Sequence, residues 1–212
     1  MDNVADYLLQ TLPKRNEWAY TLEKFAKENK IPIMEPVSMN FLTQLVFIYK
    51  PSNILEIGTA IGYSALRMHE VLPSVNIVSI EKNEKMFEIA KTNVNEHNKE
   101  KSIQLIHGDA LTEIDKLISI EKKFDFIFID AAKAQYKRYF SSVQPLINAN
   151  GIIICDNVLF KGYVMNEEND AIPRLQKLAS KMRDFNEWVC NQKDFYTSIV
   201  PIGDGISISI KK

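Results

Sequence analysis

The chain has 212 residues, of which 46% are hydrophobic and 25% are charged, and its formal net charge is −1. This balance excludes a protein that attracts nucleic acid through its overall field, so a nucleic-acid partner would have to meet a local basic patch. The two cysteines, Cys155 and Cys190, lack metal-ligand spacing and predict a reducing compartment without a disulfide framework. No signal-peptide pattern and no apolar run of about 18 residues is found, so we expect a cytoplasmic protein without a membrane span.

The first fifty residues predict a layer of helices. Apolar residues at helical spacing indicate a first helix over 3–12, which Pro13 ends. A second helix is predicted over about 17–29. A third follows Ser38, a typical N-cap residue, and closes at Lys50. We expect this layer to lie over the part of the chain that follows.

From residue 53 onward, apolar strands alternate with amphipathic helices. The predicted strands span 53–57, 75–80, 102–106, 124–129 and 151–155. The predicted helices span 62–72, 83–98, 111–119, 135–147 and about 168–187. This alternation is typical of a parallel sheet that is covered by helices on both faces.

The end of the chain has a different pattern. Two β-rich runs over 195–200 and 205–210 flank the segment PIGDG, which is a hairpin signal. The predicted fold class is therefore α/β, with a mostly parallel seven-stranded sheet and an antiparallel C-terminal edge. We expect one domain over 1–212, made of the helical layer (1–50) and a core (51–212).

The segment NILEIGTAIGYS predicts a ligand site at the end of the first strand. The strand breaks at Gly58 and Gly62, and a helix opens after them, at the sheet edge where open α/β folds bind ligands. Glu81 follows Gly58 by 23 residues, the offset at which an acid binds the ribose of a nucleotide-like cofactor. The loop lacks the third glycine of the dinucleotide fingerprint, so it indicates NAD only weakly.

A carboxylate ends each of the five central strands. These residues are Glu56, Glu81, Asp109, Asp130 and Asp156. Acids at such positions can simply cap the helices that follow. Five of them along one edge, with Asn157 next to the last, favour a functional site.

Three motifs resemble the S-adenosylmethionine (SAM)-dependent O-methyltransferases of the catechol and caffeoyl-CoA type. The segment EIGTAIGYS (56–64) resembles their first motif, DAAK (130–133) their D-x-x-K segment, and Asp156-Asn157 their metal-binding pair. The similarity covers essentially the whole chain. It implies the Rossmann-like fold of class I methyltransferases.

Three further segments resemble the bacterial tRNA 5-hydroxyuridine methyltransferases, which are small members of that family. They are IPIME (31–35), DNVLFKG (156–162) and PIGDG (201–205). The resemblance implies that 5-hydroxyuridine at the tRNA wobble position is the acceptor. Its 5-hydroxyl and 4-carbonyl can present two oxygens to one metal, as a catechol does, so a catechol-like small molecule is the alternative acceptor. A non-catalytic module on the same fold is a third interpretation. The intact set of Asp130, Asp156 and Asn157 argues against it.

The resemblance also implies a metal site with a general base. Asp130, Asp156 and Asn157 would be the ligands, and their oxygens suit Mg²⁺ or Mn²⁺. Lys133 would be the general base, and Asp130 would contact both the metal and the cofactor. A lysine near a metal should have a lowered pKa, although an acceptor that ionises on the metal would need no lysine.

For the cofactor, the resemblance implies SAM. Glu81 would bind the ribose, Ser64 the methionine carboxylate, and Asp109 with Ala110 would flank the adenine. Met39 would close over the cofactor, although a methionine in a helix is more often a core residue. The full set of expected cofactor-binding residues is Met39, Glu56, Gly58, Ser64, Glu81, Asp109, Ala110 and Asp130.

A tRNA substrate, bound through its anticodon loop, would need phosphate contacts and stacking surfaces. The candidate basic residues are Lys133, Lys137, Arg138, Lys161, Arg174, Lys177, Lys181 and Arg183. The candidate stacking residues are Tyr136, Tyr139, Phe160 and Tyr163. A solvated helix face and ordinary core packing are the alternatives. The resemblance further implies a homodimer.

Overall fold

The computed structural model describes residues 2–165 and 172–212, and in this part of the chain seven strands form one sheet. The strands are β1 (Asn53–Ile57), β2 (Asn76–Glu81), β3 (Ile103–His107), β4 (Phe124–Ile129), β5 (Ile147–Cys155), β6 (Phe195–Val200) and β7 (Ile206–Lys211). Their spatial order is β3-β2-β1-β4-β5-β7-β6. The strands β1 to β5 run parallel, whereas β7 is antiparallel to both β5 and β6. The predicted sheet and its antiparallel edge are confirmed.

The helices of the described residues surround this sheet. They are α1 (Asp2–Thr11), α2 (Glu17–Glu28), α3 (Pro36–Tyr49), α4 (Tyr63–Val71), α5 (Glu84–Glu96), α6 (Ala110–Ser119), α7 (Tyr136–Val143) and α8 (Pro173–Cys190). The predicted beginning of the last helix, near residue 168, lies outside the described residues.

Two predicted helix bounds were wrong. The N-cap of α3 is Glu35, and Ser38 lies inside the helix. Pro36 starts the helix because proline at the first helical position has a suitable φ and needs no hydrogen-bond partner for its nitrogen. The segment predicted as helix 135–147 ends its α-helix at Val143, because Pro145 cannot continue the ladder.

The apolar side chains of the strands divide between two faces of the sheet. Leu55 and Ile57 point to the face that α6, α7 and α8 cover, and Ile54 points to the opposite face. This alternation follows from the two-residue period of a strand. The second face is covered by α2, α3, α4 and α5, so the N-terminal layer completes one half of the core.

The chain crosses over at β1. It builds β2 and β3 on one side of β1 and then places β4 on the other side. The carboxyl ends of β1 and β4 therefore lie at a topological switch point, where open α/β sheets form their ligand crevice.

The helix α1 leaves apolar side chains on the surface. It packs on α3. The large exposed apolar residues of these two helices are Val4, Tyr7, Leu8, Leu9, Phe47 and Ile48. Among the described residues, no helix combines the length and the apolar character that a membrane span requires.

Candidate active site

A cavity of about 450 Å³ opens at the switch point. Most of its lining comes from four segments, 31–34, 57–60, 80–82 and 130–133. Seven of the predicted site residues line it, namely Gly58, Ser64, Glu81, Ala110, Asp130, Lys133 and Asn157. Four others, Met39, Glu56, Asp109 and Asp156, are not among the lining residues.

Gly58 is required because the main chain of Asp130 crosses directly over it. A Cβ at Gly58 would overlap the Asp130 carbonyl oxygen, and its φ of 96° lies in the left-handed region. The Gly58 N–H donates to the Ile80 oxygen at 2.9 Å, and the Asp130 N–H donates to the Ile57 oxygen at 2.9 Å. The glycine thus lets the loops after β1 and β4 meet at the floor of the cavity.

The Glu81 carboxylate holds the loop after β1 in place. Its Oε2 accepts from the N–H groups of Thr59 (3.2 Å) and Ala60 (2.9 Å), and its Oε1 accepts from Asn83 N–H at 2.7 Å. A carboxylate has about four acceptor sites, so one remains for a ligand hydroxyl. This geometry is compatible with the predicted contact between Glu81 and a ribose.

Glu56 lies beneath the cavity, fully buried inside β1. Its two carboxylate oxygens accept hydrogen bonds from the hydroxyls of Ser64 and Ser79. Burial raises the pKa of Glu56 to about 7, against the opposing effect of these two hydrogen bonds. Glu56 therefore reaches the cavity through Ser64, which it orients.

Asp109 caps a helix, as the alternative interpretation of the edge acids allows. Its Oδ1 accepts from Leu111 N–H at 3.1 Å at the start of α6, and its Oδ2 lies 2.9 Å from Lys82 Nζ. The bond to Lys82 lowers the pKa of Asp109. Its neighbour Ala110 and its partner Lys82 line the cavity instead.

Met39 lies in the core between the N-terminal helices and the sheet, with no exposed surface. Met34, in the segment between α2 and α3, lines the cavity. The prediction that Met39 covers a cofactor stays a prediction.

Asp130, Lys133, Asp156 and Asn157 come together on the other side of the cavity. Lys133 Nζ donates to Asn157 Oδ1 at 2.8 Å, and Asp156 Oδ1 accepts from Asn157 N–H at 2.8 Å. Asp156 is buried, and its Oδ2 has no hydrogen-bond partner within residues 2–165 and 172–212. Burial and the nearby Asp130 charge raise the pKa of Asp156 to about 8. Burial likewise raises the pKa of Asp130, with the Lys133 charge opposing it.

A model of the O-methyltransferase family matches residues 13–212. The chain belongs to the O-methyltransferase family. Its fold superposes on a crystal structure of a candidate caffeoyl-CoA O-methyltransferase from Staphylococcus aureus with a TM-score of 0.92 at 35% identity, over 98% of this chain and 99% of that one. This likeness confirms the predicted Rossmann-like methyltransferase fold.

Two further relatives are similar to this O-methyltransferase, one in structure and one in sequence. An O-methyltransferase from Bacillus cereus, whose crystal structure is a complex with SAH, has a TM-score of 0.84 at 27% identity, over 99% of this chain and 97% of that one. A caffeoyl-CoA O-methyltransferase from Populus kitakamiensis is 30% identical over 172 residues, which cover 79% of this chain and 73% of the relative.

In this O-methyltransferase, Asp130, Asp156 and Asn157 offer oxygen ligands of the kind that a hard cation prefers. In residues 2–165 and 172–212, no group of three or more His, Cys, Asp or Glu side chains has the arrangement of a metal site. The set in question holds two carboxylates and one amide. Among the described residues, the buried Asp156 Oδ2 has no partner and lies near the buried carboxyl of Asp130, so a cation bound there would favour the ionised form of both groups.

The four aromatic residues predicted to stack on tRNA bases divide into buried and more accessible ones. Tyr136 is buried and donates its hydroxyl to the Asp156 oxygen at 2.9 Å, so it supports the main chain there. Tyr139 is buried but lines the cavity. The rings of Phe160 and Tyr163 are half-buried and lie 5.5 Å apart beside the loop that carries Asn157.

The basic candidates are mostly exposed. Lys137, Arg138, Lys161, Arg174, Lys177 and Lys181 are exposed. Lys137 Nζ lies 5.0 Å from the centre of the Trp188 ring, and half-buried Arg183 donates to the Tyr163 oxygen at 3.3 Å. The helix α8 packs against the short 3-10 turn at Lys133–Gln135, and Lys133 and Gln135 line the cavity.

Sequence reasoning gave no site role to several lining residues. Met34, Lys82 and Met86 are the clearest cases. Lys82 directly follows Glu81, so its place at the strand end was the available signal. Tyr63, which also lines the cavity, is buried and donates its hydroxyl to Glu23 Oε1 at 2.6 Å.

Proposed function

We propose that this chain is a SAM- and divalent-metal-dependent O-methyltransferase that converts 5-hydroxyuridine at the tRNA wobble position to 5-methoxyuridine. One observation carries the reaction type. The loop after β1 and the group Asp130, Lys133 and Asn157 line the same cavity, so a methyl donor and an acceptor oxygen can meet there.

One half of the cavity is lined by Gly58, Ser64, Glu81 and Ala110, and we call it the cofactor half. Its geometry suits SAM. Glu81 would accept a ribose hydroxyl, Ser64 would contact the methionine carboxylate, and Ala110 would lie against the adenine. Glu56 would act by orienting Ser64, and Asp109 by fixing Lys82 and the start of α6. The Bacillus cereus relative, whose structure holds SAH, supports this part of the proposal.

The other half is lined by Asp130, Lys133 and Asn157, and we call it the acceptor half. It suits Mg²⁺ or Mn²⁺, which Asp130, Asp156 and Asn157 would hold. Such an ion lowers the pKa of an acceptor hydroxyl and orients its oxygen. Lys133 Nζ, at hydrogen-bond distance from Asn157, would take the proton from that hydroxyl. With SAM bound, the acceptor oxygen would form a bond to the methyl carbon, while the bond from that carbon to sulfur would break and leave its electron pair on sulfur. The products are a methyl ether and S-adenosylhomocysteine.

The tRNA part of the proposal is supported by the resemblance and by the surface around the cavity. Exposed Arg174, Lys177 and Lys181 on α8, with Lys161, could contact phosphates. Phe160 and Tyr163 offer rings on which an unpaired base could stack. The net charge of −1 requires that any such contact be local.

A catechol-like small molecule is the second candidate acceptor. It is favoured by the likeness to the Populus kitakamiensis caffeoyl-CoA O-methyltransferase. The same cavity chemistry serves both acceptors, because each presents two adjacent oxygens to the metal.

We also propose that two copies of the chain associate through the N-terminal layer. The apolar side chains that α1 and α3 leave exposed give this surface the character of an interface. Sedimentation analysis of wild type and of Phe47→Asp tests it, and a monomeric wild type would contradict it.

The acceptor is tested by incubating the purified protein with SAM, Mg²⁺ and tRNA from cells that lack the gene, followed by nucleoside mass spectrometry. We expect 5-methoxyuridine to appear and 5-hydroxyuridine to fall. A parallel reaction with a catechol such as caffeic acid measures the alternative. Methylation of the catechol without any change in the tRNA would overturn the tRNA assignment and leave the O-methyltransferase assignment standing.

A further inference from the structure

The turn between β6 and β7 holds the loop that carries Asn157. We call residues 201–205 the hairpin turn and residues 157–162 the acceptor loop. The main-chain bonds between them run from Val158 N–H to Gly205 oxygen (3.0 Å) and from Leu159 N–H to Asp204 oxygen (2.9 Å). The Asp204 side chain adds a third bond, because its Oδ1 accepts from Lys161 N–H.

The acceptor loop needs such support because its backbone is unusual. Asn157 (φ 55°), Phe160 (φ 48°) and Lys161 (φ 52°) all adopt the left-handed region. In residues with a side chain this region is disfavoured, because the Cβ approaches the next carbonyl oxygen. Such a conformation persists only where surrounding contacts over-determine it. The Asp204 carboxylate binds at one of the three unusual residues.

The hairpin turn is itself fixed from the opposite side. A Cβ at Gly203 would overlap the Ser38 hydroxyl, so the turn sits directly against α3. A Cβ at Gly205 would overlap Leu159, so the turn is equally close to the acceptor loop. The Asp204 carboxylate therefore extends from an anchored piece of backbone.

We propose that Asp204 is a positioning residue for the acceptor half of the site. Its carboxylate fixes the acceptor loop at Lys161 and, through that loop, sets the direction in which Asn157 presents its amide oxygen beside Lys133. The proposal rests on the proposed function in one respect, namely that Asn157 holds the metal. It concerns neither the cofactor half nor the identity of the acceptor.

Hydrogen–deuterium exchange and Mn²⁺ titration of Asp204→Ala and Asp204→Asn test this role. For Asp204→Ala we expect exchange in peptides over 157–165 to accelerate about tenfold and Mn²⁺ affinity to fall about tenfold. Exchange over 53–64 and the affinity for S-adenosylhomocysteine should be unchanged. Asp204→Asn should keep wild-type behaviour, because its amide oxygen also accepts a hydrogen bond.

Asp125→Ala is the matched control. The Asp125 Oδ2 also accepts from main-chain N–H groups, those of Ser52 (2.9 Å) and Asn53 (3.0 Å), but at the opposite end of the sheet. This variant should leave exchange over 157–165 and Mn²⁺ affinity unchanged. If Asp204→Ala does not fold, Asp204→Ser replaces it, with an intermediate effect expected from its shorter side chain.

The proposal is overturned if Asp204→Ala leaves exchange over 157–165 at the wild-type rate, or if Asp204→Asn is as disruptive as Asp204→Ala. A general loosening that extends equally to 53–64 would also overturn it. A wild-type protein that binds no Mn²⁺ would instead remove the proposed metal site, and the exchange data would still decide whether Asp204 holds the loop.

Discussion

The two halves of the cavity differ in how their polar groups are satisfied. In the cofactor half, the Glu81 carboxylate already accepts three main-chain N–H groups. In the acceptor half, a buried oxygen of Asp156 has no hydrogen-bond partner in the part of the chain that the structure describes, and Asn157 adopts a left-handed conformation. A site whose internal hydrogen bonds are formed is preformed, whereas a buried polar atom without a partner is costly until a ligand binds it. We infer that the cofactor half is built before any ligand binds and that a cation completes the acceptor half.

The largest expected effect comes from Asp156→Ala, which removes a proposed metal ligand. Methyl transfer should fall by about 10³-fold, the scale of losing a main electrostatic contact to the reacting group. Calorimetry with S-adenosylhomocysteine should show nearly unchanged affinity, because the cofactor half is complete without Asp156. Asp184→Ala, an exposed change on α8, is the control. An active Asp156→Ala enzyme would remove the metal mechanism.

The next largest effect is expected for Gly58→Ala, which tests whether the cofactor half is preformed. The added Cβ would overlap the Asp130 carbonyl oxygen, so we expect the free energy of unfolding to fall by about 4 kcal/mol, together with loss of cofactor binding. Gly162→Ala separates overlap from backbone strain. Gly162 also has a left-handed φ of 78°, but a Cβ there would meet, among the described residues, only the flexible end of Met165. Gly162→Ala should lower the free energy of unfolding by about 1 kcal/mol. If urea denaturation shows equal losses for the two variants, overlap with Asp130 is not the cause of the Gly58→Ala effect.

Glu56→Gln should change how stability depends on pH. The folded-state pKa of Glu56 is about 7, above its ordinary value of 4.5, because the carboxyl is buried. Between these values the folded protein keeps a proton that the unfolded chain has lost. Wild-type stability therefore falls as pH rises through this window, with a contribution of about 3 kcal/mol from Glu56. Urea denaturation at pH 5 and pH 7.5 should show that the glutamine variant lacks this part of the fall, and identical profiles would refute the assignment.

Lys133→Ala tests the base in the acceptor half. Removing a general base typically costs about 10²-fold in kcat, so a loss of that size is expected at neutral pH. Lys91→Ala, an exposed change on α5, is the matched control. Full activity of Lys133→Ala at pH 7 would show that the metal alone ionises the acceptor.

The sequence predicted the parts of this architecture that depend on local pattern. Continuous apolar runs located β1 and β4, and the spacing from Gly58 located Glu81. The position of Glu56 could also have been obtained from strand parity. Leu55 and Ile57 face one side of the sheet, so Glu56 must face the other side, where it pairs in register with Ser79.

Other features depend on contacts between distant segments. Nothing in the helical layer itself indicates that Met34, rather than Met39, would line the cavity, because the choice depends on how α3 lies on the sheet. The need for Gly58 arises from Asp130, and the support of the acceptor loop arises from Asp204. Each of these pairs is separated by dozens of residues, so only the folded structure brings them together.

The most direct test of the two-part site is calorimetric titration of S-adenosylhomocysteine into the wild-type protein, once with excess Mg²⁺ and once with EDTA. A preformed cofactor half predicts the same affinity in both conditions, while methyl transfer requires the metal. A loss of affinity of about tenfold or more in EDTA would contradict the account, because it would show that the cofactor half is not complete by itself.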